Sequence, residues 1–206
     1  MTKISIAPLA VFAMTTPFVH AASFDTDAVG SVPDGWTCGV TGSGSPHWAV
    51  AADTEAPGIH HVLTQSGSGT FPWCVKLDTA IADGFVEVKF KPISGREDQA
   101  GGVVWRFKDR GHYYVARANA LENNVSLYYT ERGKRNTLKY VDAPVARGAW
   151  HTLRVEFAGA HIAVSLNGKR AIEFDDPHIS GPGAVGVWTK ADSVTSFDAF
   201  AYGRTR

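Results

Sequence analysis

The run "YYVARANALENNVSLYY", from Tyr113 to Tyr129, alternates in a way that gathers polar chemistry on one side. Side chains of an extended strand point to opposite faces in turn. Tyr113, Val115, Arg117 and Asn119 therefore share a face. After a short polar turn, Asn124, Ser126 and Tyr128 share a face of the return strand. Two other runs add to this set: "VVWRF" turns Arg106 outward, and "AVGVWTK" turns Trp188 and Lys190 outward. Aromatic faces stack on the apolar C–H side of a pyranose, while guanidinium and amide groups bond neighbouring hydroxyls in pairs. Side by side on one sheet, Arg106, Tyr113, Arg117, Asn119, Asn124, Tyr128, Trp188 and Lys190 would form a saccharide-binding face. Acid–base candidates beside it are Glu122, in the turn after Asn119, Asp192, just after Lys190, and His112. The plainer alternative leaves the rings half-buried, Arg117 paired with Glu122 or Asp192, and the face merely wet.

Holding such a row requires rigid strands, and the chain supplies little else. Alternating segments begin at His47, Ile59, Trp73, Gly84, Gly101, Tyr113, Asn124, Arg135, Trp150 and His161, and three more follow before Gly203. Asn167-Gly168 between two alternating runs is a two-residue hairpin signal. No window carries a sustained helical period with caps. A dozen short strands without helices must close into a sandwich or barrel. The expected fold is all-β: a two-sheet antiparallel β-sandwich of jelly-roll type, in one domain over residues 22–206. Val86, Val88 and Phe90 form one core row, as do Leu153, Val155 and Phe157. Their charged neighbours Glu87, Lys89, Lys91, Arg154 and Glu156 face water. Val103, Trp105 and Phe107 are assigned inward together, and the Gly- and Ser-rich stretch Val29–Ser45 reads as irregular loop.

The 206-residue chain carries 20 basic and 20 acidic residues. Such balance offers no electrostatic footprint for nucleic acid or anionic lipid. Lys3, the apolar run "ISIAPLAVFAM" and "VHA" ending at Ala21 read as a signal peptide over residues 1–21, cleaved after Ala21. The apolar run is far shorter than the roughly 20 residues a membrane span needs. An exported protein, periplasmic or secreted and monomeric, is the expectation. Cys38 and Cys74 are the only cysteines, and an even pair in an exported chain reads as one disulfide. It would stabilise the fold by roughly 4 kcal/mol in the chain-entropy model. Two buried free thiols or part of a metal site are the alternatives.

The segments "DQAGGVVWRFKDRGHYYVARANALENNVSLYY", "WHTLRVEFAGAHIAVSLNGK" and "GPGAVGVWTKADSVTSFDAFAYG" resemble a bacterial family of exported concanavalin-A-like jelly rolls. That family is called the 3-keto-disaccharide hydrolase domain, and its relatives are described as family 16 glycoside hydrolase-like or laminin-G-like. The resemblance runs from about Phe24 to Gly203. It implies a concave sheet and a carbohydrate-related role, with cleavage of 3-keto sugar linkages as the named activity.

The strand motif E-x-D-x-E of true family 16 glucanases is missing; "VEVKF" and "IEFDD" lack the repeat. Ordinary glycoside hydrolysis needs two carboxyl groups about 5 Å apart for retention or about 6.5–9.5 Å for inversion. A 3-keto sugar asks for less, because the carbonyl acidifies the neighbouring C–H. One base, from Glu122, Asp192 or His112, and one cation, from Arg106, Arg117 or Lys190, would suffice. Non-catalytic alternatives are a lectin-like or laminin-G-like binding module and a structural envelope protein. For metal, His60 and His61 point to opposite faces and cannot share an ion. Asp25 and Asp198 could meet and hold a structural Ca²⁺, which needs six to eight oxygens.

Overall fold

The computed structural model describes residues 19–204, so most of the predicted signal peptide lies outside the described residues. Described residues contain fifteen strands and no helix, hence no helix able to cross a membrane. In chain order these are β1 (Val19–Ala22), β2 (Thr37–Ser45), β3 (Trp48–Ala52), β4 (His61–Gln65), β5 (Ser68–Ile81), β6 (Gly84–Ser94), β7 (Ala100–Asp109) and β8 (His112–Asn119). They continue as β9 (Asn124–Glu131), β10 (Lys134–Asp142), β11 (His151–Ala158), β12 (His161–Leu166), β13 (Lys169–Asp175), β14 (Gly183–Trp188) and β15 (Val194–Gly203).

They form two antiparallel sheets. One runs β13-β12-β11-β6-β15-β4-β3, with β1 on the far half of β15; the other runs β10-β9-β8-β7-β14-β5-β2. This is the two-sheet sandwich that the alternation predicts. The inner rows assigned from sequence pack between the sheets: Val86, Val88 and Phe90 meet Leu127, Val103 and Trp105 in one core. Trp105 links the layers, stacking on Tyr114 at 5.2 Å within its own sheet and on Phe157 of the other at 5.9 Å. Asn167 and Gly168 both take positive φ, 52° and 78°, as the two-residue turn between β12 and β13 demands.

Three local readings change. The stretch read as loop contains β2, whose Gly- and Ser-rich sequence hides a strand paired with β5. A Cβ at Gly39 would sit 2.6 Å from Trp73, so glycine there makes room for an indole rather than for a bend. Cys38 lies opposite Cys74 in that ladder and is bridged to it, tying the N-terminal segment to the sheet as predicted. On the other sheet, Lys91 is buried rather than wet: Asp53 holds its ammonium at 2.6 Å and the Trp150 ring lies 5.0 Å away. Arg154 pairs with Glu87 and Glu156 while its guanidinium covers Phe85 at 4.0 Å.

The third change concerns the proposed site. Arg106 has φ 46°, a left-handed residue inside a strand, and the β7 ladder slips register there. Such a bulge breaks the strict alternation of faces. Phe107 therefore belongs to the outer cluster with Trp73 and Trp188 instead of the core. Arg106 turns to the sandwich margin, where it donates to the carbonyls of Ala82, Ile179 and Gly159 and lies over Phe157 at 5.6 Å. Gly183 accommodates the bulge, since a Cβ there would fall 2.5 Å from the Arg106 carbonyl carbon.

Candidate functional site

The seven-stranded sheet carries a second, outward cluster: Trp73, Val75, Val104, Phe107, Tyr113, Val115, Tyr128 and Trp188, with Phe71 packed against it. Register sets its polar continuation. Asn119 stands opposite Asn124 and Arg117 opposite Ser126 in the β8–β9 ladder, while Gly102 of β7 lies between Arg117 and Trp188. Without a side chain, Gly102 lets those two groups approach from either side. Alternation on β8, β9 and β14 thus brings together Tyr113, Arg117, Asn119, Asn124, Tyr128 and Trp188, and Lys190 follows just beyond β14.

At one end of this face the polar groups converge on Asp98, a fully buried carboxylate in the β6–β7 connection. Arg117 Nη1 donates to both its oxygens at 2.9 Å, Asn119 Nδ2 donates at 2.8 Å and Lys190 Nζ at 2.6 Å. Arg117 Nη2 reaches Glu122 Oε2 at 2.7 Å, and Asn124 Nδ2 donates to the same oxygen at 2.8 Å and to the Tyr140 hydroxyl. Burial opposes charge on both Arg117 and Glu122, but their partners outweigh it. Asp98 and Glu122 hold Arg117 above its ordinary range, while Asn124, Arg117 and Lys190 hold Glu122 below its own. Glu122 is therefore an ionised, partly exposed carboxylate held by the buried Arg117. Asn124 also heads the sequon Asn124-Val125-Ser126, yet it is sealed in this network and offers no amide to a glycan.

The rings differ from the expected stacking platform. Trp188 and Tyr113 are 0% exposed and Tyr128 is 3% exposed, so no ligand can lie flat on them. Arg135 of β10 covers them instead, 4.2 Å from the Tyr128 ring centroid, 4.7 Å from Phe71 and 5.8 Å from Trp188. Tyr113 is closed off by Thr41, whose hydroxyl lies 2.9 Å from the phenol, and burial raises that phenol's pKa. Of the rings in this cluster, Phe71 stays open to a ligand, at the edge of a groove of about 710 Å³ lined also by Thr70, Glu97, Arg135 and Lys190.

Other residues proposed from sequence are placed elsewhere. Arg106 sits at the margin described above. His112 stands seven residues before Asn119 on β8, about 23 Å away at strand rise. Its Nδ1 bonds Asp109 at 3.0 Å and its Nε2 accepts the Arg132 amide at 3.3 Å, which closes a turn. Asp192 binds the amides of Arg96, Glu97 and Asp98 at 2.7, 3.0 and 3.2 Å. Those bonds outweigh burial and keep its carboxyl below the ordinary value. A carboxylate so engaged is a poor proton acceptor, but it anchors the loop that presents Asp98.

Asp25 and Asp198 do converge on one loop, as proposed for calcium. However, Asp25 accepts the amides of His60 and His61, at 2.9 and 3.0 Å, and Asp198 accepts that of Gly58 at 2.6 Å. Amide hydrogens facing a carboxylate repel a cation, and no group of three or more His, Cys, Asp or Glu that could hold a metal occurs among the described residues. These residues do not fit a calcium site.

Sequence reasoning missed Asp98, Arg135, Glu97 and Phe71. Signals for two of them were present. Asp98 continues the even-numbered row Ala100, Gly102, Val104 back from β7. Arg135 pairs with Thr130, which ends the row Asn124, Ser126, Tyr128.

Two antiparallel sheets packed face to face are a jelly roll. Solved structures with this fold include carbohydrate-binding module CBM66 from Bacillus subtilis, with 19% identity, coverage of 81% of this chain and 93% of that one, and a TM-score of 0.66. A Bacillus licheniformis β-glucanase is 12% identical, with 94% and 100% coverage and a TM-score of 0.57. A Bacillus subtilis protein of unknown function with a galectin-like fold is 12% identical, with 82% and 89% coverage and a TM-score of 0.60. At these identities the likeness is one of fold. No curated protein matches the sequence. The chain belongs to the 3-keto-alpha-glucoside-1,2-lyase-like domain family, whose profile matches residues 23–198.

Proposed function

We propose that this chain is an exported saccharide-recognition domain whose ligand lies in the groove between Phe71, Arg135 and Lys190. The observation that carries this reading is the convergence of Arg117, Asn119, Asn124 and Lys190 on Asp98 and Glu122 beside that groove. Arg117, Asn119 and Asn124 are held on strands and pin the carboxylates of Asp98 and Glu122, so the groups keep their geometry before a ligand arrives and binding costs little further ordering. Family membership points the same way. Export is supported by the Cys38–Cys74 bridge, a feature of oxidising compartments.

One observation favours an enzymatic reading as well. Glu122 takes its hydrogen bonds from Arg117 and Asn124 on Oε2, which leaves Oε1 open to a substrate proton, and the charge of Lys190 acts on the same carboxyl. In a 3-keto glucoside, Glu122 would take the C2 proton, the C2–H electron pair would form the enolate, and Lys190 would face the developing negative oxygen. Expulsion of the C1 oxygen then forms the C1–C2 double bond and releases the second sugar as its alcohol once protonated. Two outcomes separate these readings when the purified protein meets a panel of disaccharides and their 3-keto forms. Saturable binding without product supports recognition alone; an unsaturated keto sugar detected by mass, lost in Glu122→Gln, supports the lyase. Neither binding nor product would overturn both, and leave a structural envelope role.

A further inference from the structure

Arg135 is a cation without an anion. Its guanidinium is sandwiched among the Phe71, Tyr128 and Trp188 rings, Nη1 is buried without a hydrogen-bond partner, and among the described residues no carboxylate lies within ion-pair distance. The neighbouring cations Arg117 and Lys190 are paired, Arg117 with Asp98 and Glu122 and Lys190 with Asp98. Burial and the charge of Arg117 both work against the protonated form of Arg135. Arginine nevertheless stays charged in proteins. A partly desolvated charge with no anion beside it is costly, and a ligand that supplies the anion removes that cost.

The groove offers that completion. Arg135 and Lys190 line it, with the Thr70 hydroxyl and Phe71 beside them and Glu97 as its one acidic residue. A planar guanidinium fixed by stacking presents a fork that matches a carboxylate or sulfate in two parallel hydrogen bonds. We infer that the ligand is an acidic saccharide, whose carboxylate or sulfate ester is bound by Arg135 while its ring lies against Phe71. This inference rests on the saccharide reading above and narrows it to one ligand class. Glu97 adds selection, because it disfavours a second negative group at the rim.

The test measures binding of maltose, maltose carrying a carboxylate in place of its 6′-hydroxymethyl group, and maltose 6′-sulfate by calorimetry, with neutral 3-keto disaccharides alongside. Charge-assisted bidentate pairing predicts that at least one acidic form binds about 10–100-fold tighter than maltose. The preferred acid distinguishes carboxylate from sulfate. The advantage should shrink in high salt and vanish in Arg135→Gln. Arg135→Met keeps an apolar cover over the rings and serves if the glutamine variant does not fold. Neutral sugars binding as well as acidic ones to the wild-type protein would overturn the inference and leave the saccharide reading standing. Binding of no sugar at all would overturn both.

Discussion

Replacing Asp98 by asparagine removes the charge on which the polar face is built while keeping its size. The native carboxylate takes bonds from Arg117 at 2.9 Å, from Asn119 at 2.8 Å and from Lys190 at 2.6 Å. The three partners do not lose equally. Lys190 keeps a side-chain exposure of 27% and can turn to water, so its share is under about 1 kcal/mol. Arg117 is 3% exposed and cannot turn away; Glu122, at 2.7 Å, remains its one anionic partner among the described residues. Breaking a buried pair from one side costs about 3–5 kcal/mol. Asparagine retains one acceptor oxygen, which places the expected loss near the lower end, about 3 kcal/mol. For a chain of this size that lowers the melting temperature by about 6–12 °C. Urea denaturation of wild type, Asp98→Asn, Lys190→Met and the double variant reads the effect at pH 7. A loss below about 1 kcal/mol, or a Lys190 contribution as large as that of Arg117, would refute the claim that Arg117 is held by Asp98 against burial.

Other consequences are as direct. Arg106→Ala should destabilise by about 2–4 kcal/mol, because three carbonyls lose a charged donor, and leave any sugar affinity unchanged in a calorimetric titration. The Cys38→Ala/Cys74→Ala variant should lose about 2–4 kcal/mol in urea denaturation, with a chain separation of 36 residues between the bridged positions. Gly39→Ala should cost about 1–3 kcal/mol and change the near-ultraviolet signal of Trp73, since the added methyl meets that ring. Asp192 has a lowered carboxyl in the folded state, so its stabilisation is complete above the ordinary aspartate range and is lost as pH falls through the folded value. Melting temperatures of Asp192→Asn and wild type should therefore differ at neutral pH and converge below about pH 4; parallel curves would contradict this.

Much of the fold was legible because alternation reports burial directly. The inner rows of β6, β11 and β14 alternate without interruption, and each packs between the sheets. Legibility failed where a backbone feature overrides parity. Arg106 looks like any outward strand residue until its left-handed φ is known, and that one bulge moves both Arg106 and Phe107 from their assigned sides. Parity did place Arg117, Asn119, Asn124, Tyr128 and Trp188 on a common face. It could not say that Arg135, from the edge strand, would lie across the rings and convert an aromatic surface into a charged one. Asp98 escaped because a residue just outside a strand has no pattern of its own, although it continues one.

The pairing of β1 with β15 closes one margin of its sheet. Val19 to Ala22 align with Gly203 to Phe200, and the His20 ring stacks on Tyr202 at 4.9 Å. Cleavage after Ala21, as expected from the sequence, would remove three of those four partners and leave this half of β15 as an open edge. An unpaired edge is a template for a further strand.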